Sequence, residues 1–175
     1  NWEDKVSSGS NINFAYSAFW YNSLINDCIH KCKYDNYQQL LVNLAEHAAE
    51  ILAPEIKREG VDVFVPVPLH HVKKRERGFN QAEIVSQVLS HKLGIPFAPG
   101  ILLKQRWTGS QTKLDLIERH KNVSGVFSAH NCNGFKRPAV VDDVLTSGAT
   151  TNECCRVLKN AGFETAGVIT LATPK

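Results

Sequence analysis

The sequence predicts an α/β fold in three layers, a mainly parallel twisted sheet flanked by helices. Three observations carry this. Short β-rich runs near 61–67, 139–141 and 166–171 alternate with stretches of helical periodicity. Each long helical stretch in the second half is punctuated by capping residues and glycines. Hydrophobic residues make up 43% and charged residues 21% of a 175-residue chain, ordinary values for a single packed domain. A chain this long buries about 70% of its extended surface on folding.

The elements follow in order. Asn1 to Asn13 are polar, and residues 1–20 read as a lead-in. The chain contains no methionine and starts at Asn1, which predicts trimming of a longer N-terminal region. From Ser23, Leu24, Ile25, Cys28, Ile29 and Cys32 recur at helical spacing. Leu40, Leu41, Leu44, Ala45, Ala48, Ile51 and Leu52 do the same, and Pro54 is expected to end that helix. Val61 to Val67 is a buried strand ending near Pro66. The next helix has Asn80 as its cap, Glu83 to close a capping box, Phe79 and Ile84 as a hydrophobic staple, and Gly94 at its end. Ile101 to Leu103 reads as a strand. Residues 104–121 lack periodicity and read as a long loop of the kind that serves as a lid. Ala139 to Val141 is a strand running into Asp142 and Asp143. A helix capped by Thr150 and Glu153 follows the loop, Gly162 ends it, and Ala166 to Leu171 forms the last strand.

Composition excludes several classes. No stretch approaches the 18 or so apolar residues that span a bilayer, so membrane insertion is not expected. Five cysteines at 28, 32, 132, 154 and 155 show no framework spacing and read as free thiols in a reducing, cytoplasmic compartment. Cys28 and Cys32 fall on an apolar stripe, so His30 between them does not complete a metal site. Cys154 and Cys155 read as packing residues, with some thiolate character expected for Cys154 near a helix N-terminus. The net charge of +3 is concentrated in residues 70–77, which hold four Lys/Arg and one Glu; the remainder balances at 16 basic and 16 acidic residues. That segment is expected to meet an anion.

The chemistry concentrates in Val140 to Thr151. Two adjacent carboxylates, Asp142 and Asp143, end a buried strand where packing asks for neither. Thr146, Ser147, Gly148, Ala149 and Thr150 follow and open a helix. Backbone amides, hydroxyls and the helix dipole together make a phosphate cradle. The carboxylates suit ribose hydroxyls or a magnesium ion. Neither a Walker A loop nor a Gly-x-Gly-x-x-Gly fingerprint is present.

This stretch resembles the phosphoribosyl-pyrophosphate signature of type I phosphoribosyltransferases: hydrophobics, two acidic residues, then Thr-Ser/Thr-Gly-x-Thr. A second match is narrower. Val65-Pro66-Val67-Pro68-Leu69, Arg75, and Arg77-Gly78-Phe79-Asn80-Gln81-Ala82-Glu83 look like the ComF family, phosphoribosyltransferase-like proteins linked in bacteria to competence and DNA uptake. Lys33-Tyr34, Gln111, Leu114, Arg119, Asn122 and Phe127 match as well. The resemblance runs from about Tyr21 to the C-terminus and implies a phosphoribosyltransferase-like domain over residues 21–175.

The resemblance implies an enzyme that binds phosphoribosyl pyrophosphate with Mg and transfers the phosphoribosyl group to an acceptor with release of pyrophosphate. Asp142 and Asp143 would be catalytic and hold Mg, directly or through water and substrate. Thr146 to Thr150 would anchor the 5-phosphate, and Lys73, Arg75 and Arg77 the pyrophosphate, with the arginines favoured for their planar fork. Lys104, Arg106, Gln111 and Arg119 would belong to the flexible loop, where Trp107 either stacks on a base or anchors the loop. The family's zinc ribbon would lie upstream of Asn1, and no zinc is expected in this chain, which has no Cys-x-x-Cys. Two rivals stand beside the enzyme. One is a competence or DNA-uptake factor using the same pocket to bind phosphoribosyl pyrophosphate or single-stranded DNA, with competence-machinery proteins as partners. The other is a sensor of phosphoribosyl pyrophosphate without turnover.

Overall fold

The computed structural model describes residues 10–34, 37–105, 125–130 and 134–174. Its strands are β1 (Ala15–Trp20), β2 (Val63–Pro66), β3 (Leu102–Lys104), β4 (Phe127–Ala129), β5 (Pro138–Val144) and β6 (Gly167–Thr173). The helices are α1 (Ser23–Tyr34), α2 (Gln38–Glu59), α3 (His71–Arg77), α4 (Gln81–Leu93) and α5 (Ala149–Asn160). β1, β6, β5 and β2 form one parallel sheet in that order, and β3 pairs antiparallel with β4 as a separate ribbon.

The period of two along each strand sorts its side chains onto two cores. Val63, Val65, Val140 and Val168 face a cluster shared with Cys154, Cys155 and Leu158 of α5 and Leu102 and Phe127 of the ribbon. Phe64, Ala139, Val141, Ile169 and Leu171 face the other cluster, with Leu41, Ala45, Ala48 and Leu52 of α2 and Val85 and Leu89 of α4. The three layers expected of an α/β fold are therefore present. A central strand buried on both faces reads as an unbroken apolar run, as Pro138 to Val141 does.

Several expectations change. Residues 15–20, read from sequence as part of a lead-in, form an edge strand: Ala15 pairs with Val168 and Trp20 with Thr173. Helix α2 passes through Pro54 rather than stopping before it. The turn beyond the proline buries Ile56, and Gly60 at φ 64° closes the helix by donating to the Lys57 carbonyl at 3.1 Å. The basic segment forms the seven-residue helix α3, whose C-terminus Gly78 caps at φ 78°. Asn80 caps α4 as expected, its Oδ1 accepting from the Ala82 N–H at 3.1 Å, but Glu83 pairs with Lys74 at 2.8 Å instead of returning to the cap. Phe79 and Ile84 both pack against the α2–α4 core, where the staple would place them. At α5, Gly148 is the cap and Glu153 turns to Arg156 and the Gly125 N–H, so the Thr150–Glu153 box does not form.

Candidate functional site

Register brings the two chemically loaded connections together. Pro66 of β2 stands opposite Val141 of β5, and the Val67 N–H donates to the Val141 carbonyl at 2.9 Å. The chain leaving β2 therefore runs beside Asp142 and Asp143. Alternation along β5 continues the face of Val140 into Asp142 and that of Val141 into Asp143. Two neighbouring carboxylates thus flank the strand end from both sides, which one capping aspartate would not do. Both are half-buried. Asp142 Oδ1 accepts from the Asp143 N–H and Asp143 Oδ1 from the Val144 N–H, each at 2.9 Å, which fixes both side chains.

A pocket of about 150 Å³ opens here, lined by Val67, Pro68 and Leu69 after β2, Asn80, Gln81 and Ala82 at the start of α4, Lys104, Phe127, Asp142, Asp143 and Thr150. It lies at the carboxyl ends of β2 and β5, where parallel sheets carry their ligand sites. Thr150 is in the first turn of α5, whose leading N–H groups have no intrahelical acceptor. Gly148 bends the chain into that turn at φ 72°. A Cβ there would meet only ordinary contacts, 3.8 Å from Leu145, so the left-handed backbone and not space requires glycine. Ser147 Oγ accepts from the Ala149 N–H at 3.4 Å, and Thr151 Oγ1 donates to the Gly148 carbonyl at 3.1 Å.

The expected site residues divide. Asp142, Asp143, Thr150 and Lys104 line the pocket, with Thr146, Ser147, Gly148 and Ala149 on the loop that leads into it. Lys73 and Arg75 are not among its lining residues. Lys73 lies 3.3 Å from Glu76, Lys74 from Glu83 at 2.8 Å, and Arg75 is exposed. The side chain of Arg77, and Arg106, Trp107, Gln111 and Arg119, lie outside the described residues. Lys104 is not on a loop: it ends β3, opposite Phe127, with its ammonium 5.6 Å from the centroid of that ring.

The resemblance includes Asn80, Gln81 and Phe127 without giving them a place in the site. Asn80 is buried and uses both ends of its amide, since Nδ2 donates to the Val67 carbonyl at 3.0 Å while Oδ1 caps α4. It ties the β2 exit to the α4 start, a clasp legible only as a capping residue in sequence. Gln81 is buried beside it on the pocket wall.

Electrostatics separates the groups further. Burial holds the Lys104 ammonium below the usual lysine range, with the charge of Asp142 working the other way. Burial raises Glu153, but the hydrogen bonds from Arg156 and the Gly125 N–H outweigh it and hold this carboxyl below the usual range. Glu153 thereby fastens α5 to the turn that enters β4. Cys154 does not gain thiolate character: complete burial pushes its thiol well up, and that of Cys155 up to about 12. The helix dipole loses to desolvation. Cys28, Cys32, Cys154 and Cys155 are free thiols.

Among the described residues no group of three or more His, Cys, Asp or Glu is placed to hold a metal. Asp142 and Asp143 fit a different requirement, that of Mg, which keeps several waters and binds through one or two carboxylates together with phosphate oxygens. Among the same residues no helix is long and apolar enough to cross a membrane.

No family model matches the chain. Competence protein F of Haemophilus influenzae is 38% identical over 114 residues, covering 63% of this chain and 50% of that protein. DNA utilization protein YhgH of Salmonella typhi is 27% identical over 80% of this chain and 63% of its own length. Competence protein ComFC of Streptococcus pneumoniae is 28% identical over 83% and 62%. The chain thus spans between half and five-eighths of the length of these relatives. Among solved structures, glutamine phosphoribosylpyrophosphate amidotransferase from B. subtilis matches 74% of this chain and 25% of its own at 24% identity and a TM-score of 0.47. Purine phosphoribosyltransferase from Pyrococcus horikoshii matches 74% and 72% at 20% identity and a TM-score of 0.46. The chain is a homologue of the competence protein F, ComFC and YhgH proteins.

Proposed function

We propose that the pocket binds phosphoribosyl pyrophosphate with Mg and transfers its phosphoribosyl group to an acceptor, releasing pyrophosphate. One observation carries the reading: the paired carboxylates ending β5 line the same pocket as Thr150, which opens α5. Asp142 and Asp143 would hold the ribose hydroxyls and the metal's waters. When bound, Mg supplies positive charge to the pyrophosphate oxygens, on which negative charge grows as the glycosidic bond loosens. The loop from Thr146 to Thr150 would grip the 5-phosphate, and that remote grip orients the anomeric carbon. The apolar walls from Val67, Leu69 and Phe127 exclude water that would hydrolyse the sugar.

Calorimetry with Mg and phosphoribosyl pyrophosphate tests the binding, on the wild type and on Asp142→Asn/Asp143→Asn. Equal affinity in the double variant would remove the assignment. Pyrophosphate release with purines, pyrimidines or nicotinate then tests turnover.

The relatives' names favour a second reading, in which the chain serves competence or DNA utilization without turnover. The exposed Arg75 on α3 would then meet nucleic-acid phosphate outside the pocket. Affinity for single-stranded DNA that falls steeply with salt, and falls again in Arg75→Gln, would support it. Absence of pyrophosphate release across all acceptors would favour it over the enzyme.

A further inference from the structure

The ribbon of β3 and β4 carries a cation that forms no ion pair among the described residues, although the charge of Asp142 acts on it. Lys73, Lys74, Lys92 and Lys136 each end on a carboxylate, at 3.3, 2.8, 3.2 and 2.9 Å. Lys104 is half-buried, and among the described residues it makes no ion pair and no side-chain hydrogen bond; its ammonium rests on the face of Phe127. A ring face replaces only part of the hydration a buried ammonium gives up. The position is nonetheless held firmly. Lys104 and Phe127 are cross-strand partners, the Gln105 N–H donates to the Val126 carbonyl at 2.8 Å, and Gln105 Nε2 donates to Ser128 Oγ at 2.8 Å. Glu153 fixes the entry to β4 from α5. A rigid support, an apolar ring and a half-buried lysine on a pocket wall describe a binding contact better than a solvated surface lysine.

We propose that Lys104 is an anion-binding residue of this pocket, receiving a negatively charged group of the ligand. It takes the part expected of the basic segment on α3, whose Lys73 and Arg75 do not line the cavity. Two sources supply the same chemistry: the pyrophosphate of the sugar donor, or the carboxylate of a flat, acidic acceptor lying against Phe127. The neighbouring subsites are those of the phosphoribosyl reading, on which this inference rests for their identity.

The test uses four probes on the wild type, Lys104→Met, Lys104→Arg and Asp142→Asn/Asp143→Asn: Mg-pyrophosphate, nicotinate, neutral nicotinamide and ribose 5-phosphate. Lys104→Met keeps the stem against Phe127, and thermal unfolding of each variant shows that it is folded. A charge-assisted hydrogen bond lost from a half-buried site lowers affinity about tenfold or more. That loss is expected for pyrophosphate or nicotinate, and which of the two falls identifies the source. Lys104→Arg should restore much of the loss, and ribose 5-phosphate should bind as before. Unchanged binding of both anions in folded Lys104→Met overturns the inference, as does a wild type that binds neither. Ribose 5-phosphate binding that depends on Asp142 and Asp143 keeps the phosphoribosyl reading in either case. Loss of that binding alongside a Lys104-dependent anion removes the reading and keeps the anion site.

Discussion

Helix α3 and the β5–α5 junction both follow a parallel strand at the same edge of the sheet, and both carry concentrated charge. Their charges are used differently. On α3, Lys73 and Lys74 meet Glu76 and Glu83, and Arg75 faces solvent. At the end of β5, Asp142 and Asp143 are half-buried on a pocket wall with their side chains pinned by backbone N–H groups. A local run of charge reports composition; strand register decides which charges meet a ligand. Among the described residues, the cation that lines the pocket is Lys104, about thirty residues beyond the basic run.

The largest expected effect breaks the comparison if it fails. Asp142→Asn/Asp143→Asn should lower affinity for Mg-phosphoribosyl pyrophosphate about 100-fold, on the order of 3 kcal/mol. Arg75→Gln should change it by no more than about twofold, as exposed charges do. Calorimetry on both variants at one salt concentration measures the contrast, and equal losses would return α3 to the site. Next comes the opposite end of the same sheet, where Gly167 stands beside Ala139. Gly167 of β6 lies beneath the Phe14 ring, and a Cβ there would fall 2.1 Å from two of its carbons. Phe14 is buried and stacked on Tyr16 at 5.9 Å between centroids, so it cannot swing aside freely. Gly167→Ala should cost about 1–3 kcal/mol in urea unfolding, while an exposed substitution on α3 should stay within about 0.5 kcal/mol.

A smaller effect carries a pH signature. The Glu153 carboxyl is depressed, so its stabilisation is present above the unfolded-state value and disappears as pH falls through the lower folded-state value. Glu153→Gln should therefore be less stable than wild type by about 1–2 kcal/mol at neutral pH, with Arg156 part-exposed and its pairing discounted accordingly. Urea midpoints measured from pH 7 down should converge below the usual glutamate range; a constant gap would show that packing and not charge was lost. The mildest test leaves the sequence unchanged. Cys154 and Cys155 should resist a thiol reagent in the folded protein and react only on unfolding, while half-buried Cys28 reacts sooner, as peptide mapping would show.

The parts of this architecture legible from sequence are those in which local pattern and tertiary role agree. Val140 to Gly162 reads as strand, loop and helix because its short apolar run, left-handed glycine and apolar stripe are all local. Asn80 reads as a cap for the same reason. What escaped depends on distant partners. Ala15 to Trp20 is a strand only because β6 lies beside it. Helix α2 continues past Pro54 because Ile56 gains a buried position, which outweighs a missing N–H. Lys104 reads as the start of a polar loop until Phe127 is placed across from it. Cys154 sits near a helix N-terminus, but its pKa follows the burial that the sheet imposes. The Glu residues three positions after each cap were drawn off by cations and turns that a window of four residues does not contain.

The strand order has a consequence for how the chain assembles. Within the sheet, β1 lies beside β6 and β2 beside β5, while on its other side β2 meets only a short bridge from Phe64 to Phe97. As the polypeptide leaves the ribosome, both early strands wait for partners encoded in the last forty residues. Until Pro138 to Thr173 emerges, the edge of Ala15 to Trp20 that meets β6 and the edge of Val63 to Pro66 that meets β5 have no neighbour. Pairings so far apart in sequence are slow to close, and unpaired edges invite association in the meantime. Helices α2 and α4, which pack on one another, are the units able to shelter β2 during that interval. Nascent chains stopped before Gly167 should therefore hold a helical layer with no complete sheet beneath it, and the pocket should appear only with the final strands.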